Sequence, residues 1–351
     1  MQRIIACVLM LLPLPLWAES EEEVWPLQTH VVPFDYESPA QPLTYRPLHR
    51  AASPWTICVS YPHLKDAYWL SVNYGMVQEA ERLGVGFRLV EAGGYPNLAR
   101  QIEQITECVA QGADALIVGT VSFDGLTPTV QALSEKVPVI AAVNDIADPG
   151  IAAKAAVSWY EMGATAGRFI AARHPKGSAP VRLAWFPGPE GAGWVGFVEA
   201  GFREAIAESS ASIALTKYGD TGREIQVTLI EETLDSGIEI DYLVGSAPTA
   251  EVAVSILRAR GLQDRISIVS DYMSHAVFRG IRRGRILAAP TDFPIMQGKL
   301  AIEMAVRAIE GRLELRHAGP KIQLVTSDMV DNTDLAETLA PASFIPVFEM
   351  E

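Results

Sequence analysis

The sequence predicts an α/β fold of two doubly wound parallel-sheet lobes with a cleft between them. Three observations carry this. From Trp55 onward, short apolar, β-rich runs alternate with helical stretches, the rhythm of a parallel sheet covered by helices on both faces. The rhythm breaks at Asp148-Pro149-Gly150 and then restarts. With 351 residues, 49% of them apolar, the chain can bury two cores.

In chain order, residues 1–18 read as a cleavable secretory signal: Arg3, an apolar core from Ile4 to Trp17, and Ala18 before the acidic run Glu19 to Glu23. That core is too short to span a bilayer, and no later stretch approaches the roughly 20 apolar residues a span needs. Cys7 lacks a lipoprotein-like context. A free, exported protein with no direct membrane insertion is expected. Residues 19–53 are rich in Pro with little periodicity, an N-terminal arm expected to wrap the surface with an edge strand at Leu27 to Phe34.

Strands are then expected at Trp55–Ser60, Phe87–Glu91, Ala115–Val118 and Val139–Val143, separated by helices, of which the first stops at Gly84 and the second runs from Leu98 to Gly112. After the break, helices are expected at Trp159–Arg173, Trp194–Ile206, Arg223–Leu234, Ala250–Arg260 and Ser274–Arg283. Strands at Arg182–Phe186, Ala214–Tyr218, Tyr242–Gly245, Ser267–Ser270 and Arg285–Ala289 alternate with them, and a long helix closes the pattern at Ile295–Ile309.

Charge narrows the function. The chain carries 28 basic and 42 acidic residues, a net −14, and loss of Arg3 with the signal makes it more negative. Nucleic acid and anionic membrane are therefore unsuitable partners. Of the three cysteines, Cys58 and Cys108 remain after cleavage. An even pair in an oxidising compartment favours a disulfide, while two buried free thiols stay open at this level. His30, His49, His63, His174, His275 and His317 are scattered without metal-ligand spacing, and no cofactor is implied. PGPEGAG precedes a helix but lacks the ending of a P-loop, so it reads as a tight turn. No nucleophile elbow or acid–base pair appears, and no enzyme is expected. Arg279, Arg282, Arg283 and Arg285 form a basic run, most simply a solvated helix face.

The richest stretch is YPHLKDAYWLSVNYGM, Tyr61 to Met76, which leaves the carboxyl end of a strand where an open α/β sheet borders its crevice. Taken alone, Asp66 caps the following helix while Tyr68 and Trp69 staple it. Together with EAGGY at Glu91 to Tyr95, the helix start Trp159 to Gly163, PGPEGAG with GFREAI, Ser274-His275 and GIRRGRI, this stretch resembles the TorT family of periplasmic trimethylamine N-oxide sensors, which share the type I periplasmic binding protein fold. The likeness runs along nearly the whole mature chain and includes the arm and both cysteines.

The resemblance implies three crossings between lobes, near Ala156, Ala289 and Gly319. A first lobe of 54–156 plus 290–318 and a second of 157–289 plus 319–351 follow. It implies trimethylamine N-oxide as ligand and the periplasmic domain of a TorS-like sensor histidine kinase as partner. The ligand's positive nitrogen suits ring faces and its oxygen suits a donor. Trp69, Tyr95, Trp159 and Tyr272 are assigned to an aromatic cage and Tyr68 to its wall. Asp66 either balances the nitrogen or, protonated, donates to the oxygen; Asp271 shares that ambiguity with weaker support. The alternative is a solute-binding protein that delivers a sugar or small solute to an ABC importer.

Overall fold

In a computed structural model, the described residues are 23–333 and 338–351; the expected signal at 1–18 lies outside them. Within the arm, β1 (Trp25–His30) pairs antiparallel with β2 (Ala40–Tyr45). Then come β3 (Thr56–Tyr61), α1 (Ala67–Leu83), β4 (Gly86–Glu91), α2 (Leu98–Ala110), β5 (Ala115–Val118), α3 (Thr127–Ser134), β6 (Val139–Ala142) and β7 (Ala153–Ala155). The second run comprises α4 (Trp159–Arg173), β8 (Val181–Phe186), α5 (Val195–Ile206), β9 (Ala211–Thr216), α6 (Arg223–Asp235), β10 (Tyr242–Gly245), α7 (Ala247–Ala259), β11 (Ser267–Ser270), α8 (His275–Arg282) and β12 (Ala288–Thr291). The chain continues through α9 (Pro294–Ile309), β13 (His317–Ala318) and β14 (Gln323–Thr326) to β15 (Glu349–Met350).

Two sheets result, ordered β13-β7-β6-β5-β3-β4-β15 and β14-β12-β11-β10-β8-β9. Their central strands, ALIV in β5, VIAA in β6 and YLVG in β10, are buried along their whole length. Runs with no polar alternation suit a parallel sheet covered on both faces. β15 and β14 pair antiparallel at the edges.

Three expectations are corrected. The arm forms its own hairpin instead of joining a sheet. Its two runs pair locally, and Gln28 is tied to Gly319 by backbone bonds of 2.8 and 3.0 Å. The expected strand at Arg285–Ala289 starts later, because Arg285 N–H turns back to the Gly280 carbonyl, and the chain leaves the second sheet only after Thr291. The carboxyl end does not stay on the second lobe: after β14 the chain returns, and Glu349 and Met350 pair with Arg88 and Phe87. β4 would otherwise expose an unpaired edge, which β15 covers.

Cys58 and Cys108 are bridged, with Cα atoms 6.0 Å apart, joining β3 to α2. A closed loop of this length contributes about 4 kcal/mol in the chain-entropy account.

Glycines set the closest helix packing in each lobe. α1 crosses α9 where a Cβ on Gly75 would lie 2.0 Å from the Ile295 carbonyl oxygen and one on Gly298 2.2 Å from that of Val72. α4 crosses α5 in the same way: a Cβ on Gly163 would lie 1.9 Å from the Val198 oxygen, and one on Gly201 1.9 Å from that of Tyr160. Only hydrogen fits. Because Trp159 opens α4 and Trp194 precedes α5, this crossing also sets the spacing of those two indoles. Gly163→Val is expected to destabilise the protein by about 3 kcal/mol, within the range for overpacking and strain. A urea midpoint equal to wild type would show that the helices separate freely.

Candidate functional site

Asp66 caps α1, its Oδ1 accepting the Tyr68 backbone N–H at 2.9 Å. Its Oδ2 accepts the Tyr272 hydroxyl from the loop after β11, so one carboxylate joins the two lobes. Burial pushes the Asp66 carboxyl up to about 6, against the lowering effect of the hydrogen bonds from Tyr272 and the Tyr68 N–H. Both contacts are donors to an acceptor, the arrangement of an ionised carboxylate.

Tyr68 is buried in α1 and donates to Asp292 Oδ2 at 2.6 Å, where Gln297 Nε2 also donates at 2.7 Å. Trp69 lies tilted on Tyr61 with centroids 4.6 Å apart, in space that exists because residue 119 is glycine: a Cβ there would sit 2.4 Å from the indole. Tyr95 follows Gly93 and Gly94, whose φ of 84° and 145° suit glycine. Its hydroxyl accepts from Asn144 Nδ2 at 3.1 Å, and none of the described residues accepts its proton.

Trp159 donates its indole N–H to the Val143 carbonyl at 2.9 Å, leaving only its ring face for other contacts. That bond ties the start of α4 to the end of β6, where Val143 holds a left-handed φ of 68°. Such backbone persists only where surrounding contacts fix it.

The structure brings Asp66, Tyr68, Trp69, Tyr95, Trp159 and Tyr272 together around one small cavity whose lining residues are all buried. Tyr68, Trp159 and Tyr272 meet with centroids 5.5 to 6.4 Å apart. Asp66 is the one carboxylate in the lining. Asp271 is not part of it. It is wholly buried with no hydrogen-bond partner for either oxygen, and burial holds its carboxyl well above the usual carboxylate range.

Sequence reasoning missed three lining residues, Asn144, Thr221 and Trp194. Trp194 is the most consequential: its ring lies 5.0 Å from Trp159 and 6.0 Å from Tyr272, and its buried N–H lies by the Tyr95 hydroxyl without a well-formed hydrogen bond. The available signal was an aromatic at a helix start after a second-lobe strand, the same position type as Tyr272. Beside the cavity, His63 Nε2 meets Thr221 Oγ1 across the lobes at 3.0 Å. Among the described residues no cluster of His, Cys, Asp and Glu could hold a metal ion.

Two lobes closed over a ring-lined cavity define a binding protein of the periplasmic type. Residues 54–345 match the profile of periplasmic binding proteins and the sugar binding domain of the LacI family, and the chain belongs to that family. Within it the chain is TorT-like. It is 39% identical over 302 residues to periplasmic protein TorT of Escherichia coli strain K12, spanning 85% of this chain and 86% of that protein. A crystal structure of the TorS sensor domain–TorT complex in the presence of trimethylamine N-oxide superposes with a TM-score of 0.76 at 39% identity, covering 84% of this chain and 99% of that one. An ABC transporter solute binding protein from Bradyrhizobium sp. BTAi1, with bound bis-tris, gives a TM-score of 0.79 at 44% identity, covering 94% and 100%. Like TorT, the protein is periplasmic.

The cross-lobe histidine has a pH signature. Burial lowers His63 from 6.5 to about 4, outweighing the raising effect of Asp220. Its neutral form is held in the folded state, so its contribution is present above pH 6.5 and is lost as pH falls toward 4, by at most about 1.4 kcal/mol per unit. Asp66, raised, acts with the opposite sign between its unfolded value of 3.8 and about 6. The difference between wild type and His63→Gln isolates the histidine. The variant's urea midpoint is expected to fall less between pH 7 and pH 5 than that of wild type; equal falls would show that His63 is not held neutral.

Proposed function

We propose that the protein is a periplasmic sensor component that binds trimethylamine N-oxide between its lobes and regulates the sensor domain of a TorS-like histidine kinase. The observation that carries this is the single carboxylate set among six aromatic rings drawn from both lobes. The reading makes Asp66 the counter-charge to the positive nitrogen, with Trp69, Trp159 and Tyr272 presenting rings to the methyls and Tyr68 forming the wall. Each well-placed, desolvated ring contributes about 0.5 to 2 kcal/mol. The N-oxide oxygen is a strong acceptor, and the lining offers it the Tyr95 hydroxyl, whose proton none of the described residues accepts, and the indole N–H groups of Trp69 and Trp194 beside that hydroxyl. The protein acts by binding, not by catalysis.

The relatives support an amine ligand. One complex contains trimethylamine N-oxide, and the Bradyrhizobium protein binds bis-tris, a tertiary amine. A sugar would need a ring of hydrogen-bonding side chains, whereas this lining is mostly aromatic. Because Tyr272 and Asp66 belong to different lobes, a ligand held between them favours the closed arrangement, and differential affinity for closed and open states is what transmits a signal.

Thermal unfolding of the mature protein, titrated with trimethylamine N-oxide and with ribose and trimethylamine as controls, tests the reading. This compound is also a stabilising osmolyte, so only a rise saturating at low concentration counts. A ribose response in its place would move the protein to sugar import. Trp159→Ala is expected to weaken N-oxide binding roughly tenfold or more; affinity within about twofold of wild type would remove Trp159 from the cage. Tyr95→Phe is expected to cost about 1 to 2 kcal/mol with the N-oxide and nothing with tetramethylammonium, which has no oxygen to receive the bond. Calorimetry with both ligands reads the difference.

A further inference from the structure

The basic run has a role that cavity binding does not use. Arg279 on α8, Arg258 on α7 and Arg283 and Arg285 just after α8 line an open groove over Ala276 and Gly280. Among the described residues none of these four arginines pairs with a carboxylate. Elsewhere in the lobe Arg168, Arg182, Arg203, Arg223 and Arg260 are each ion-paired. In a chain of net charge −14, a group of unpaired guanidinium groups is an attractive site in a repulsive field. Of the groove's own acids, Glu251 is engaged by Arg223, and Asp264, held by the neutral amide of Gln263, offsets only part of the four guanidinium charges.

We infer that this groove docks an acidic segment of a partner protein, and, resting on the function proposed above, that the partner is the kinase sensor domain. Four guanidinium groups, contributed by α7, α8 and the chain just after α8, favour a segment with several carboxylates over a lone anion. Guanidinium groups pair carboxylates in a two-pronged geometry. With the rest of the surface repelling an acidic partner, one basic groove also fixes the docking orientation. The groove is joined to the cavity by a short piece of chain. Tyr272, which binds Asp66, is followed by Ser274, whose hydroxyl caps α8 by accepting the Val277 N–H. The cap residue of the helix bearing Arg279 thus lies two residues from Tyr272.

The test uses the mature chain, wild type and Arg279→Glu/Arg283→Glu, with a fluorescent Glu-rich peptide of about a dozen residues and, separately, the kinase sensor domain. Wild type is expected to bind the peptide, to lose at least about tenfold in affinity between low and about 0.3 M salt, and to lose a similar factor on charge reversal. Arg279→Gln/Arg283→Gln, which adds no charge, is expected to fall between. Peptide binding that is absent in wild type or unchanged by reversal overturns the groove, as does citrate displacing the peptide at micromolar concentration, which would make it a small-anion site. Kinase domain bound equally by wild type and both variants overturns the partner assignment. The N-oxide titration separates the two readings. It should be the same for all three proteins, because no substituted residue lines the cavity; its failure in wild type counts against the sensor reading, while the peptide arm still decides the groove.

Discussion

The hydrogen bond from the Tyr272 hydroxyl to the Asp66 carboxylate is the contact on which the closed cleft depends. It places a charge in a cavity otherwise walled mostly by rings and shares that charge between the lobes. An unpaired buried carboxylate costs several kcal/mol, so Asp66 stays ionised near neutral pH only where donors meet it. The cap of α1 supplies one donor, and the other lobe supplies the second. Trp159 adds a parallel link, since its N–H reaches the Val143 carbonyl of the first lobe.

Such links need walls that do not yield. The rigid parts are the two glycine crossings, α1 on α9 and α4 on α5, where backbone meets backbone without intervening side chains. Helices held this closely carry the residues at their first turns as fixed bodies. Tyr68 and Trp69 open α1, Trp159 opens α4 and Trp194 precedes α5. The cavity is thus assembled from helix starts, and its shape follows from packing several turns away. Polar support lies one layer out: Asp292 and Gln297, at the beginning of α9, hold the Tyr68 hydroxyl.

Charge divides the molecule between two tasks. The cavity concentrates one carboxylate among rings, suited to a small cation, while the α7–α8 groove gathers unpaired arginines on an acidic surface. Both meet in the short connection from Tyr272 to α8, so a ligand and a partner would act on the same few residues.

The linear order of residues by itself determined the strand–helix rhythm, the interruption at Asp148 to Gly150 and the aromatic loops at Asp66 to Trp69, Tyr95, Trp159 and Tyr272, because periodicity and turn chemistry are local. It also supplied the even cysteine pair, though not the bond between them, which needed the 6.0 Å approach of their Cα atoms. Tertiary structure alone decided what depends on distance across the chain. Trp194 reads as an ordinary helix start until α5 is laid across α4, and Asn144 matters only because it occupies the accepting side of the Tyr95 hydroxyl. Asp66 and Asp271 are both loop carboxylates; the fold gives one two donors and leaves the other buried without a partner. The return of β15 to the first sheet was also invisible, since two residues with no periodicity become a strand only when the free edge of β4 is there to pair with them.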